Sequence, residues 1–153
     1  MTEHPLSHST FSLDRDYAVP PEKVFQAFAD PDVKARWFGG PERVWRRVST
    51  DMDFREGGHE HSEGVFGEHT TTRFDATYHE IIKDRRIVYD YEMRINAERI
   101  SVSLATIELS PTAIGTHLVI TEQGVYFDAQ DGSHEREEGT RQLLESIARL
   151  FED

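Results

Sequence analysis

A chain of 153 residues is long enough for one domain that buries about 70% of its unfolded surface, so it needs no covalent staple. The absence of cysteine excludes disulfides, thiolate nucleophiles and cysteine zinc sites, and a net charge of −12, from 29 acids against 17 bases, opposes nucleic acid and anionic lipid surfaces as partners. The N-terminus has no basic segment followed by an apolar one, and no stretch approaches the roughly 18 apolar residues of a membrane span, so the expected location is cytoplasmic, without membrane insertion.

Residues Met1 to Ser9 show neither helical nor strand periodicity and read as a frayed tail, leaving 10–153 as a single domain. From Thr10, Phe11, Leu13, Arg15 and Tyr17 alternate with smaller or polar residues, which predicts a strand that Pro20-Pro21 stops. Pro21 opens a short helix carrying Val24, Phe25 and Phe28. Asp30-Pro31 breaks it, and Val33 to Phe38 form a second short helix ended by Gly39-Gly40.

Six strands follow: Arg43 to Phe54, Gly58 to Phe66, Thr71 to Lys83, Ile87 to Asn96, Ile100 to Ser110 and Thr116 to Gln123. Their separators are a few residues long and rich in Gly, Asp and Asn, which permits antiparallel neighbours only. Ile87, Tyr89, Tyr91 and Met93 alternate with Val88, Asp90, Glu92 and Arg94, the pattern of a strand wet on one face. After Gly124 the strand signal stops, and a loop through Asp131-Gly132-Ser133 leads into a helix from about His134 to Phe151. Its apolar stripe is Leu143, Leu144, Ile147, Leu150 and Phe151, with Ser133 as the expected cap. The order is one strand, two short helices, six strands and a long helix.

Several segments together resemble the START-like (SRPBCC) superfamily, over nearly the whole chain from Thr10 to Glu152. They are Val19-Pro20-Pro21-Glu22-Lys23-Val24-Phe25 leading to Asp30-Pro31 and Trp37-Phe38; Asp53 to Gly58; Ile81 to Tyr91; Ser103 to Glu108; and Gly115-Thr116 with Thr121-Glu122-Gln123-Gly124. Within that superfamily the chain is similar to the bacterial single-domain members of the branch named for the activator of the 90-kDa heat-shock protein ATPase. The resemblance implies an α+β helix-grip fold: a curved antiparallel sheet of about seven strands, two short helices after the first strand, and a long C-terminal helix across the sheet. Many relatives carry an aromatic residue near the start of the last helix where this chain has Gly139-Thr140, which implies a differently lined pocket mouth. The eukaryotic activators also carry an additional chaperone-binding domain for which this chain has no room.

Three constellations bear on chemistry. His59 and His61 share a strand face and His69 follows the next turn, but nothing fixes a third ligand, so these are expected to be exposed polar residues with no metal bound. If His59 and His61 face outward, Glu60 faces inward, as Glu122 does beyond Leu118 and Ile120. Two carboxylates beside one cavity can divide acid and base roles, or simply anchor a ligand. Trp37, Phe38, Phe74, Tyr78, Tyr89, Tyr91, Met93 and Phe127 converge between sheet and helix in this fold, opposite Leu143 and Ile147. Small Ser103 and Ala105 in mid-sheet are then expected to leave a void among them.

No GxSxG, Walker or dinucleotide glycine pattern is present. The expected function is binding of a small hydrophobic molecule such as a lipid, polyketide or aromatic metabolite, without a cofactor and more as a binding protein than a catalyst. The alternatives are a cyclase- or hydrolase-like enzyme using Glu60, Glu122 or a tyrosine, and a co-chaperone or other interaction domain. A homodimer is compatible with all three.

Overall fold

Short turn-forming connections decide the topology. The computed structural model describes residues 4–40, 44–128 and 132–152. Seven strands, β1 (Leu6–Tyr17), β2 (Trp45–Met52), β3 (His59–Phe66), β4 (Thr70–Ile82), β5 (Arg86–Ile95), β6 (Glu98–Pro111) and β7 (Thr116–Phe127), form one antiparallel sheet in the order β1-β7-β6-β5-β4-β3-β2. Two short helices, α1 (Pro21–Ala29) and α2 (Pro31–Lys34), link β1 to β2, and α3 (Ser133–Leu150) follows β7. The last six strands are a meander, and β1 closes onto β7 over twelve paired residues from Leu6↔Phe127 to Tyr17↔Thr116. Among the described residues no helix is long and apolar enough to cross a membrane.

Alternation places the core. On β6, Ser101, Ser103, Ala105, Ile107 and Leu109 are buried, and on β7 Thr116, Leu118, Ile120, Glu122 and Tyr126 are. A register shift between Tyr78 and Glu80 resets the parity on β4, so that Phe74, Ala76 and Tyr78 face in and Ile81 still packs on the core beyond the irregularity. The helices close this face: Val24, Phe25 and Phe28 of α1 and Leu144 and Ile147 of α3 join Ile87, Ile107 and Leu118 in one cluster.

The two halves of α3 are held differently. Its C-terminal half sits on the core through Leu144 and Ile147, the Tyr17 hydroxyl donates to the Leu144 carbonyl at 2.9 Å, and the Phe151 ring meets Tyr17 edge-on at 5.4 Å. Its N-terminal half is held by polar contacts from Arg136.

Several boundaries differ from those expected. β1 begins at Leu6, so residues 6–9 belong to the sheet, because β7 runs on to Phe127 and offers them backbone partners. Gly124 therefore lies inside a strand. The second helix starts at Pro31 and ends at Lys34, capped by the Asp30 carboxylate accepting from the Asp32 amide at 2.9 Å, and residues 35–37 form a turn. β2 starts at Trp45 and stops at Met52; Arg43 and Asp131 lie outside the described residues. Gly132, rather than Ser133, occupies the cap position of α3, without a side-chain cap.

The two-residue turn between β5 and β6 puts Asn96 at φ 51° and Ala97 at φ 69°. Asn tolerates this conformation, whereas alanine carries a Cβ penalty of about 1–2 kcal/mol in the left-handed region. Ala97 is exposed, so Ala97→Gly is expected to raise unfolding stability by about 1 kcal/mol in urea titrations, net of the greater chain entropy of glycine.

Candidate functional site

The concave face and α3 enclose a cavity of about 1170 Å³. Nine of the fourteen residues expected around a pocket line it: Trp37, Phe38, Phe74, Tyr89, Tyr91, Met93, Glu122, Leu143 and Ile147. At the end where β3 and β5 finish and β6 and α3 begin, Phe66, Ile95, Ile100 and Gly132 form a largely apolar rim. Gly139 lies on the wall, and a Cβ there would meet no atom within 4 Å, so the mouth is open at that position.

The other five expected residues lie elsewhere. Phe127 projects to the opposite face, with the Arg99 guanidinium 5.1 Å from its ring; because β7 continues past Gly124, Tyr126 takes the inward position instead. Ser103 and Ala105 are buried but do not open a void. Ala105 packs beneath Tyr91 and Tyr89, and the Tyr126 ring and Ser103 hydroxyl both crowd Gly124, whose Cβ would lie 3.3 Å and 2.9 Å from them. Tyrosine rings occupy the volume that the small residues leave, and the cavity begins above those rings. The Ser103 Oγ has no hydrogen-bond partner among the described residues.

Glu60 and Tyr78 sit just behind the wall. Alternation turns Glu60 inward, as expected from outward His59 and His61, and the Lys34 ammonium on α2 donates to its Oε1 at 2.6 Å while the Tyr78 hydroxyl donates to the same oxygen. Lys34 itself reaches the cavity, with its Nζ 4.6 Å from the Phe38 ring centre and 5.9 Å from those of Trp37 and Phe74. Burial, then the Glu60 charge and hydrogen bond, pushes the Tyr78 hydroxyl far above its usual range, so it remains a proton donor.

A second polar group centres on Glu122. The Tyr91 hydroxyl donates to Glu122, Arg136 donates to the Tyr91 oxygen at 3.0 Å and to the Ser101 Oγ at 2.8 Å, and the guanidinium lies over the Tyr91 and Tyr126 rings at 5.5 and 5.3 Å. Burial raises the Glu122 carboxyl, against the opposing pull of Tyr91, Arg136 and Thr140. Glu60 and Glu122 are thus not a coupled pair. They stand four strand spacings apart, roughly 19 Å along the sheet, each with its own cation and tyrosine.

The histidines face outward. His59 is exposed beside Thr77 at 3.2 Å, His61 meets Asp75 at 3.0 Å, and His69 is exposed. Among the described residues no group of three or more His, Cys, Asp or Glu is placed to hold a metal.

Trp45, Lys34, Tyr126 and Arg136 were missed in the sequence. A signal for Trp45 existed in its glycines: a Cβ on Gly39, Gly40 or Gly64 would approach the tryptophan side chain to 2.6, 2.7 or 2.2 Å. The indole, donating to the Thr72 hydroxyl at 2.9 Å, is wedged between the 39–40 turn and β3, while Arg47 donates to the Phe38 carbonyl at 2.6 Å.

A curved antiparallel sheet gripping one long helix over a lined cavity defines this as a helix-grip, START-like domain. The chain belongs to the family described as Activator of Hsp90 ATPase homolog 1-like protein, whose model matches residues 18–152. Among solved structures it is similar to a Rhizobium leguminosarum protein at 32% identity and TM-score 0.93, covering 99% of each chain. It is also similar to protein Mll3558 from Rhizobium loti, at 42% identity and TM-score 0.88, covering 95% of this chain and 98% of that one. Protein CV1439 from Chromobacterium violaceum follows at 30% identity and TM-score 0.75, covering 94% and 98%. No curated protein matches.

Gly64→Ala forces the Trp45 indole out of its slot and is expected to cost about 1–3 kcal/mol in urea unfolding, as overpacking does, with a change in tryptophan fluorescence. For Glu122 the folded carboxyl titrates above the unfolded one. Its contribution is therefore complete below the ordinary glutamate range and is lost as pH rises through the folded value. The stability of Glu122→Gln relative to the parent should climb over that window and then level off; a difference flat with pH would refute the assignment.

Proposed function

We propose that the protein binds a small, largely apolar molecule in the cavity between sheet and α3. The observation that carries this reading is the cavity itself: about 1170 Å³, with an aromatic and aliphatic wall, charged groups at Lys34 and at Glu122–Arg136, and Glu135, Glu145 and Arg149 of α3 along its edge. That composition is typical of ligand sites, where apolar area supplies affinity and a few fixed polar groups orient the occupant. Each inward carboxylate is already engaged by a tyrosine and has a cation beside it, which favours anchoring over an acid–base pair. The family relationship supports the same reading, in a cytoplasmic setting.

Leu143 is half-buried on the wall and can be enlarged into the open volume. Leu143→Trp is expected to weaken binding of an apolar fluorescent probe such as anilinonaphthalene sulfonate at least tenfold, with the melting midpoint maintained. Undiminished probe binding in a folded variant, or no binding by the parent, would refute the reading.

A further inference from the structure

We infer that Lys34 captures an apolar aldehyde or ketone as a protonated imine inside the cavity, an inference that rests on the ligand-binding reading above. The chain has only three lysines against fourteen arginines; Lys23 and Lys83 are exposed, whereas Lys34 is 8% exposed and opens onto the cavity. Arginine serves buried ion pairs well because its guanidinium is fixed, planar and permanently charged, whereas a lysine nitrogen can hand its proton to a neighbouring base and add to a carbonyl. A buried ion pair is also weak as a stabiliser, since apolar residues of equal volume often serve the fold as well or better. Lys34 therefore has chemistry available that its packing does not require.

The surroundings suit each stage. Glu60 lies 2.6 Å from Nζ and can accept the ammonium proton, which frees the lone pair to attack the carbonyl carbon. Forming the C–N bond moves the carbonyl π electrons to oxygen, which takes up a proton from Glu60 to give the carbinolamine. The nitrogen then carries two protons; one passes through Glu60 to the hydroxyl, which leaves as water, while the other stays on nitrogen. An ammonium and a carbonyl have become an iminium and one water, and Glu60 ends as the carboxylate it was at the start. Net charge is unchanged throughout, so the existing environment serves product as well as reactant. Glu60 is the counterion, Tyr78 donates to it, and the Phe38, Trp37 and Phe74 rings lie 4.6 to 5.9 Å from the cation. The apolar wall selects an aromatic or long-chain carbonyl compound over a hydrophilic one.

The test is reductive alkylation of the parent protein with 4-phenylbenzaldehyde and cyanoborohydride, with the three lysines followed by peptide mass mapping. Lys34 is expected to be alkylated at least tenfold faster than Lys23 and Lys83, and the preference should vanish in denaturant. With glyoxylate the two exposed lysines should lead. Lys34→Arg should lose the fast adduct while keeping a cooperative melt, and Glu60→Gln, where folded, should slow Lys34 alone. Alkylation of Lys34 no faster than that of the exposed lysines overturns the inference, and a Lys34 preference shared by glyoxylate overturns the apolar carbonyl class. Parallel titration with anilinonaphthalene sulfonate separates the two readings: probe binding without fast Lys34 alkylation removes only the imine, whereas absence of probe binding removes the ligand reading itself.

Discussion

One helix cannot cover seven strands. The sheet spans roughly 29 Å across its strands, whereas α3 is about 27 Å long and about 10 Å wide with its side chains, so a single layer of helix leaves much of the concave face uncovered. The linker between β1 and β2 makes up part of the shortfall: α1 and α2 cover the end where β1 finishes, and the 35–40 turns carry Trp37 and Phe38 over the middle. What remains uncovered between α3, the 37–40 turn and the sheet is the cavity. Its position follows from layer dimensions as much as from the side chains that line it.

That geometry also explains the ionisable groups on the inner face. Where the helix packs closely, the inward positions of β6 and β7 are Ile107, Leu109, Leu118 and Ile120; towards the cavity the same alternation brings Ser101, Ser103 and Glu122 inward, and on β3 Glu60 and Ser62. A charge there must find a counter-charge without help from bulk water, and two helical residues supply it, Lys34 from α2 and Arg136 from α3. Each helix thus touches the cavity rim through a cation matched to a glutamate on the sheet, with a tyrosine filling the remaining hydrogen-bond position.

The fold was legible because its determinants are local and repeated. Turn chemistry every ten residues or so specified the antiparallel meander, and strict alternation on β5 and β6 assigned the inner face residue by residue. Ends were less legible: β1 and β7 lengthen each other by mutual pairing, which neither segment announces alone, so residues 6–9 carry no strand signal of their own and Tyr126, not Phe127, takes the inward position. The void expected over Ser103 and Ala105 failed for a related reason. Side-chain size on one strand says nothing of which neighbouring ring leans across it, and here three tyrosines do. Lys34 and Arg136 were invisible for a further reason: a cation on a short or polar helix segment looks solvated until the opposing carboxylate is known.

The wedged indole has a consequence for how such a sequence can drift. Trp45 is accommodated only because Gly39, Gly40 and Gly64, on two segments some twenty residues apart in sequence, all lack a Cβ. A Cβ on Gly64 collides with the ring itself, whereas on Gly40 it would meet the Trp45 Cβ, which any residue but glycine keeps, and Gly39 stands at φ 131°, which side chains rarely adopt. Substitutions at 45 and 64 are therefore epistatic with a fixed order: the tryptophan must shrink before Gly64 is free to grow, and once it has grown, return to tryptophan is blocked, while Gly39 and Gly40 stay constrained in either order.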